Sequence, residues 1–141
     1  MRILVVDDQA SIRSLVKEIL HALKITDIEE ASNGIVALQK LRGSAPFDLM
    51  ICDWNMPEMD GIELVKAIRS DEKLFALRVL MLTSEQTREN ILRIAALKVQ
   101  GYVLKPFKPE ILAKAVRHSL AQPLPDLIPP QPAPPEEPGE A

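Results

Sequence analysis

The stretch LMICDWNMPEMDG, residues 49–61, joins a short apolar run to an aspartate and a polar loop. Four consecutive apolar residues, 49–52, are typical of a strand that is buried on both faces, as in a parallel sheet. Asp53 follows where burial should end, so its carboxylate is predicted to lie at the end of a central strand. Because aspartate is also common in turns, this stretch alone leaves both a turn residue and a functional carboxylate open.

Short apolar runs alternate with longer segments of helical periodicity along the whole chain. The predicted strands cover 3–6, 28–31, 49–53, 79–83 and 101–104, and the predicted helices cover 11–23, 34–41, 61–70, 85–97 and 109–120. This alternation predicts an α/β fold, a doubly wound five-stranded parallel sheet with helices on both faces. The carboxyl ends of its strands then share one edge, where open α/β sheets bind their ligands.

Composition narrows the class of protein. The 141 residues carry a net charge of -3, which disfavours nucleic acid as the main partner. No apolar run is long enough for a membrane span, and acids at positions 7 and 8 interrupt the first apolar run too early for a signal peptide. We therefore expect a cytoplasmic protein without membrane association. Cys52 is the only cysteine, which excludes an intrachain disulfide and a thiolate metal cluster.

The sequence changes character at Gln122. Residues 122–141 contain eight of the 12 prolines and four acids, without lysine or arginine. Proline neither continues a helix nor suits a central strand. We therefore predict one folded domain over residues 1–121 and a Pro-rich acidic tail over 122–141, either disordered or in polyproline II. Such a tail should add little to the free energy of unfolding.

Polar side chains follow four of the predicted strands. The first strand runs into Asp7 and Asp8, the third ends at Asp53, the fourth at Thr83, and the fifth runs into Lys105. If these ends meet, three carboxylates share one crevice with a hydroxyl and an ammonium group. Clustered carboxylates take up protons or a cation, and hard oxygen ligands suit Mg²⁺. The pattern predicts a phosphoryl acceptor, with Asp53 as nucleophile, Mg²⁺ and Lys105 neutralising phosphoryl oxygens, and Thr83 donating a hydrogen bond.

Several motifs occur in order within residues 1–121. They are Val5-Val6-Asp7-Asp8, Asp53-Trp54-Asn55-Met56-Pro57 with Met59-Asp60-Gly61, Leu82-Thr83, Glu89-Asn90-Ile91, and Gly101-Tyr102-Val103-Leu104-Lys105-Pro106-Phe107. With them the chain resembles response-regulator receiver domains, most closely the stand-alone chemotaxis type. The resemblance implies the flavodoxin-like strand order 2-1-3-4-5, which is that of the family. It also implies a switch of a two-component system, which receives a phosphoryl group from a histidine kinase and changes its affinity for a downstream protein target.

The resemblance implies ligands for the metal and for the phosphoryl group. Asp53 matches the phosphorylated aspartate of the family, and Lys105 matches the lysine that contacts the phosphoryl group. Asp8, the Asp53 carboxylate and the main-chain carbonyl of Asn55 match direct ligands of Mg²⁺, whereas Asp7 matches a residue that acts through water.

The resemblance also implies how phosphorylation is read. Thr83 matches the hydroxyl that moves towards the phosphoryl group, and Tyr102 matches the aromatic residue that turns inward with it. Asn55 and Glu85 match positions that tune hydrolysis of the acyl phosphate. Ile91 and Tyr102 are predicted on a partner surface formed by the fourth helix, fifth strand and fifth helix. We expect a monomer or a weak, phosphorylation-dependent dimer.

Other positions carry expectations of their own. Gln9 stands where chemotaxis relatives often have an aromatic residue, and Lys98 stands where the family usually has a glycine that ends the fourth helix. Lys98 should therefore be strained if that helix ends in a left-handed conformation. Trp54, after a strand end, is expected to be exposed. The resemblance also raises the expectation of a cis peptide before Pro106.

Other functions fit the sequence less well. A phosphate shuttle or sink in a phosphorelay remains an alternative role for the same chemistry. An aspartyl-phosphate phosphatase of the haloacid dehalogenase type needs a second acid two residues after its nucleophile, where this chain has Asn55. A nucleotide- or flavin-binding module needs a glycine-rich loop after a strand, but here two acids would repel phosphates. Nothing after residue 121 predicts a DNA-recognition helix. The sequence thus favours a switch that acts by binding, not an enzyme.

Overall fold

The protein is described by a computed structural model over residues 1–43 and 45–124. Five strands alternate with five helices in the order that the periodicity predicts. The strands are β1 Arg2–Val6, β2 Asp27–Ala31, β3 Leu49–Asp53, β4 Val79–Thr83 and β5 Gly101–Leu104. The helices are α1 Ala10–Ala22, α2 Gly34–Gly43, α3 Gly61–Arg69, α4 Arg88–Ala96 and α5 Pro109–Ala121. None of the helices in these two ranges is long and apolar enough to cross a membrane.

The strands form one parallel sheet in the order β2-β1-β3-β4-β5, which confirms the predicted topology. All five residues of β3 are buried. Met50 and Cys52 belong to the hydrophobic cluster that includes residues of α2 and α3, whereas Leu49 and Ile51 belong to the cluster that includes residues of α1 and α5. The uninterrupted apolar run is therefore explained by helices on both faces of the sheet.

The start of α4 differs most from the predicted boundaries. Periodicity predicts a helix from residue 85, but α4 begins at Arg88 because Thr87 is its N-cap. The Thr87 hydroxyl accepts a hydrogen bond from the main-chain N–H of Asn90 at 3.2 Å, which is the usual role of threonine at this position. Residues 84–87 thus form a polar loop directly after β4.

Lys98 follows the carboxyl end of α4 in a left-handed conformation, with φ of 57°. The condition under which Lys98 was expected to be strained is therefore met, since this conformation favours glycine. The Arg69 guanidinium donates to the carbonyl oxygens of Leu97 and Lys98, at 2.9 and 3.1 Å. Arg69 thereby joins the end of α3 to the end of α4.

The chain leaves α5 in an extended conformation. Gln122 has φ of -74° and ψ of 151°, which is polyproline II geometry. Its carbonyl oxygen accepts two hydrogen bonds from the Arg78 guanidinium, at 3.2 and 3.1 Å. The first residue of the predicted tail therefore contacts the domain, which the sequence did not indicate. Residues 125–141, most of that tail, lie outside the described residues.

Candidate functional site

The carboxyl ends of the strands bring the predicted polar residues to one edge of the sheet. Asp53 is the last residue of β3, in register with Leu82 of β4. Asp7 directly follows β1, and Thr83 ends β4. The main-chain N–H of Lys105 donates to the Thr83 carbonyl at 2.8 Å, so the ladder between β4 and β5 continues up to the lysine. Regular strand pairing, not a flexible loop, thus positions these side chains.

Lys105 joins two buried carboxylates. Its Nζ lies 2.9 Å from Asp7 Oδ2 and 3.2 Å from Asp53 Oδ1. Asp7 is 0% exposed and Asp53 is 5% exposed. The other oxygen of Asp7, Oδ1, accepts a hydrogen bond from the main-chain N–H of Gln9 at 2.9 Å. The guanidinium of Arg13 donates to the Asp7 carbonyl at 2.7 Å, so Asp7 is fixed through both side chain and main chain.

These charges shift two pKa values. The pKa of Asp53 is raised to about 6, because burial and the negative charge of Asp7 raise it and Lys105 offsets only part of their effect. Burial opposes the charged form of Lys105, but its hydrogen bond to Asp7 and the charge of Asp53 outweigh burial and raise the pKa of Lys105. The site therefore favours binding of a cation and disfavours ionisation of the Asp53 carboxyl group.

Asp7, Asp8 and Asp53 form an acidic pocket that can bind a metal ion. One carboxylate oxygen of each lies within 4.8 Å of the others. Asp8 is exposed, so the pocket is open to solvent. Three oxygen donors, with one ammonium group between two of them, suit a hard divalent cation that retains water. Asn55 is exposed in the loop that follows, and its main-chain role in metal binding stays a prediction.

Gly61 allows α3 to start directly against the end of β3. Its main-chain N–H donates to the Trp54 carbonyl at 2.7 Å. A Cβ atom at position 61 would lie 2.3 Å from the main-chain oxygen of Asp53, far closer than any side chain tolerates. Asp60 caps the helix, and its carboxylate accepts from the Glu63 main-chain N–H at 2.8 Å. The glycine of the Met59-Asp60-Gly61 motif is therefore needed to position the Asp53 backbone.

Thr83 and Tyr102 point to different environments. Thr83 is 0% exposed, and its hydroxyl accepts a hydrogen bond from the main-chain N–H of Glu85 at 2.9 Å. The Glu85 carboxylate accepts from the side-chain amide of Asn90 at 3.0 Å, which ties the loop after β4 to α4. Tyr102 is 41% exposed. The hydroxyl of Thr83 thus contacts the loop, and the Tyr102 ring is partly in solvent.

The prediction that Trp54 is exposed is wrong. Trp54 is 5% exposed and lies in the cluster that includes residues of α2 and α3. Its main-chain N–H donates a hydrogen bond to the Leu82 carbonyl oxygen at 3.0 Å, so Trp54 extends the pairing of β3 with β4. The guanidinium of Arg93, on α4, lies 5.3 Å from the centre of its ring. The indole is therefore packed in this cluster and contacted by Arg93 of α4, not exposed to solvent.

The exposed apolar side chain of α4 also differs from the one expected. Ile91 is only partly exposed, whereas Leu92 is 57% exposed. Tyr102 and Leu104 of β5 and Ile111 of α5 are exposed as well. Each of these three elements thus carries an exposed large apolar or aromatic side chain, and on α4 it is Leu92, not Ile91.

The five-stranded parallel sheet and the acidic pocket at its edge agree with the receiver-domain resemblance drawn from the motifs. Comparison with known families gives the same class of protein. The profile of the family described as the response regulator receiver domain matches residues 3–117. The chain belongs to this family, which confirms the resemblance drawn from its motifs.

Relatives narrow this class to the CheY-like response regulators. The chain is 44% identical over 116 residues to the chemotaxis protein CheY of Pseudomonas aeruginosa, covering 82% of this chain and 93% of the relative. It is 47% identical over 107 residues to the chemotaxis protein CheY-3 of Vibrio cholerae serotype O1, covering 76% and 82% respectively. The solved chemotaxis response regulator CheY4 of Vibrio cholerae matches with a TM-score of 0.77 at 38% identity, over 84% of this chain and 97% of that one.

Proposed function

We propose that the protein is a phosphorylation-dependent switch that accepts a phosphoryl group on Asp53 from a histidine kinase. The observation that carries the proposal is a buried Asp53 carboxylate 3.2 Å from the Lys105 ammonium group, within an acidic pocket. A carboxylate in that position is a nucleophile whose product, an acyl phosphate, meets a fixed cation. Residues 1–121 would form the receiver domain, with the tail after it.

The transfer can be written for named atoms. An Asp53 carboxylate oxygen attacks the phosphorus of a phosphohistidine on the kinase, the P–N bond breaks, and its electron pair returns to the imidazole nitrogen. Lys105 then contacts a phosphoryl oxygen. Asp8, Asp53 and the Asn55 carbonyl would hold Mg²⁺, and Asp7 would act through water. When bound, Mg²⁺ supplies positive charge that offsets the approach of an anionic phosphoryl group to an acidic pocket.

Release of the Thr83 hydroxyl is the proposed switch. Thr83 exchanges its hydrogen bond with the Glu85 main chain for one to the phosphoryl group, and Tyr102 turns into the space that is vacated. A downstream protein binds the surface of α4, β5 and α5. Ile91 and Tyr102 are predicted on this surface from the sequence, and Leu92 is its most exposed apolar side chain on α4. A partner that prefers one state must favour phosphorylation by the same free energy, typically about 1–3 kcal/mol.

This apolar surface favours an output protein over a phosphate shuttle or sink, which needs only the kinase-facing side of the site. Multiple turnover on outside substrates is disfavoured because Asn55 provides no acid or base two residues after Asp53. Asn55 and Glu85 would instead set how long the acyl phosphate lasts. We take the unphosphorylated protein to be a cytoplasmic monomer that dimerises weakly, if at all, on phosphorylation.

Incubation with a small acyl phosphate and Mg²⁺, followed by intact-mass measurement, tests the proposal. The unsubstituted chain should gain one phosphoryl group, and Asp53→Asn should gain none. Asp60→Asn is the matched control, because it changes a nearby acid outside the pocket and should behave like the unsubstituted chain. Thr83→Ala should still be phosphorylated but should lose the change in Tyr102 side-chain NMR signals. Equal phosphorylation of Asp53→Asn would overturn the assignment.

A further inference from the structure

An apolar groove lies at the end of the sheet opposite the candidate site. It runs past the residues that precede β3 and β4, and it has a volume of about 360 Å³. Its apolar lining includes Leu41, Phe47, Leu74, Leu77 and Leu124. An adjoining depression of about 650 Å³ shares Leu41 and Leu74, so the two form one continuous surface. The volumes of the groove and of the depression each lie within the range of roughly 300–1,000 Å³ found for binding pockets.

The end of the described chain enters this groove. After α5, the two hydrogen bonds from Arg78 hold the Gln122 carbonyl beside the groove. Arg78 and Leu124 are both lining residues. Leu124, two residues after Gln122, is nevertheless 57% exposed. The chain is therefore directed along an apolar surface that Leu124 alone does not fill.

The next residues have the composition to fill it. They read Pro125-Asp126-Leu127-Ile128-Pro129-Pro130, and Leu127 and Ile128 are the only leucine or isoleucine residues in 125–141. They follow Leu124 by three and four residues, a reach of at most about 10 to 14 Å, which keeps them close to the groove. Flanking prolines reduce the conformational freedom that docking must remove, and so favour it.

Charge complements the apolar contact. Lys73 and Arg78 line the groove, whereas Asp126 is the first charged residue after Leu124. The one acid in the lining of the first groove, Asp48, accepts a hydrogen bond from the main-chain N–H of Arg2 at 2.7 Å. Asp71, which lines the adjoining depression, lies 3.3 Å from the Arg42 guanidinium. Asp48 and Asp71 thus have partners, and Glu72 is a further acid in the lining of the depression. Lys73 lines both cavities and, with Arg78, places positive charge beside the groove.

We propose that residues 125–130 of this chain dock in the groove, with Leu127 and Ile128 against Leu74 and Leu77. This intramolecular contact covers the amino-end surface of the sheet and holds the remaining tail on that side of the molecule. Any protein that binds the same surface has to displace the segment. The contact does not involve the acidic pocket and is independent of the proposed phosphorylation.

A nitroxide label on the tail provides the test. Cys52 is 0% exposed, so Ala133→Cys introduces the one thiol that a label should reach, and labelling of the unsubstituted chain checks this. With the nitroxide at position 133, the amide NMR signals of Leu74 and Leu77 should lose intensity, whereas that of Leu92 should not. In the same labelled chain, Leu127→Ser with Ile128→Ser should restore the signals. Gln131→Ser, outside the segment, is the matched control and should leave the loss unchanged.

Three results would overturn the proposal. The first is an intensity loss that persists after substitution of Leu127 and Ile128. The second is a loss spread evenly over the domain or centred on Leu92. The third is a loss that appears in isotope-labelled chains without nitroxide when they are mixed with nitroxide-labelled chains, because the occupant would then be a second copy. Thermal unfolding of the doubly substituted chain verifies that the domain itself is intact.

Discussion

Two partly buried cationic side chains, Arg69 and Lys105, occupy opposite kinds of environment. Arg69 donates to four main-chain carbonyl oxygens, those of Phe75, Leu77, Leu97 and Lys98, at 2.7 to 3.1 Å. Among the ion pairs of the described residues, none involves Arg69, whereas Lys105 contacts two carboxylates. Burial lowers the pKa of Arg69 to about 10, so it remains charged at neutral pH.

The difference separates a structural charge from a reactive one. The neutral oxygens around Arg69 use its donors and hold α3 and α4 together, so the charge is satisfied within the fold. Around Lys105, one ammonium group faces the acidic pocket of three carboxylates, and the pKa of Asp53 rises to about 6. The pocket thus keeps an excess of negative charge that a bound cation would relieve. Burial alone therefore does not distinguish these two cations, whereas the charge of the groups around them does.

The largest effect is expected at Arg69. Arg69→Ala should lower the free energy of unfolding by roughly 2–4 kcal/mol, because it leaves several partly buried carbonyl oxygens without their donor. Urea unfolding measures this change. Arg69→Lys is the matched control, which keeps the charge but cannot reach several carbonyls at once, and it should recover only part of the loss. A loss below about 0.5 kcal/mol for Arg69→Ala would contradict the structural role.

Asp53→Asn, unlike Arg69→Ala, should raise the free energy of unfolding. The folded chain holds a proton on Asp53 up to a pKa of about 6, above its ordinary value of 3.8. The free energy of unfolding should therefore fall as pH rises between these values and stay lowered above them. Without divalent cations at pH 7.5, Asp53→Asn should stabilise by roughly 1–3 kcal/mol, and this gain should vanish near pH 4. A gain that does not depend on pH would show that charge is not its cause.

The smallest effect concerns Lys98. Because its φ is 57°, Lys98→Gly should stabilise by about 0.5–1 kcal/mol by relieving backbone strain. Lys98→Ala separates strain from charge, since alanine removes the charge and keeps the strain, and it should give no such gain. Destabilisation by Lys98→Gly in the same urea experiment would show that the left-handed conformation is not costly here.

The sequence was sufficient to predict most of the fold because its signals were local and consistent. Apolar runs predicted the strands, and parallel topology placed Asp7, Asp53 and Lys105 at one edge of the sheet, but the strand order came from the family resemblance. Lys98 could be anticipated only through the family resemblance.

Contacts that long side chains make away from the strand ends could not be predicted. No periodicity reports that Arg93 covers Trp54, that Arg69 reaches the end of α4, or that Arg78 holds Gln122. Each contact depends on where a long side chain reaches after the helices have packed. The sequence therefore contains no sign that Trp54 is covered by Arg93. The α4 boundary was missed for a simpler reason, because capping by Thr87 outweighed apolar periodicity.

Titration of the unfolding midpoint with Mg²⁺ tests the central claim, the unbalanced charge of the acidic pocket, most directly. Ligand that binds only the folded state stabilises it by about 2.7 kcal/mol at 100 times its dissociation constant. The unsubstituted chain and Asp60→Asn should therefore show a midpoint that rises with the logarithm of the Mg²⁺ concentration above the dissociation constant, and Asp8→Ala should show no such rise. Mg²⁺ should also narrow the gap between the unsubstituted chain and Asp53→Asn. Equal stabilisation of the unsubstituted chain and Asp8→Ala would contradict the account, because Mg²⁺ would then bind elsewhere.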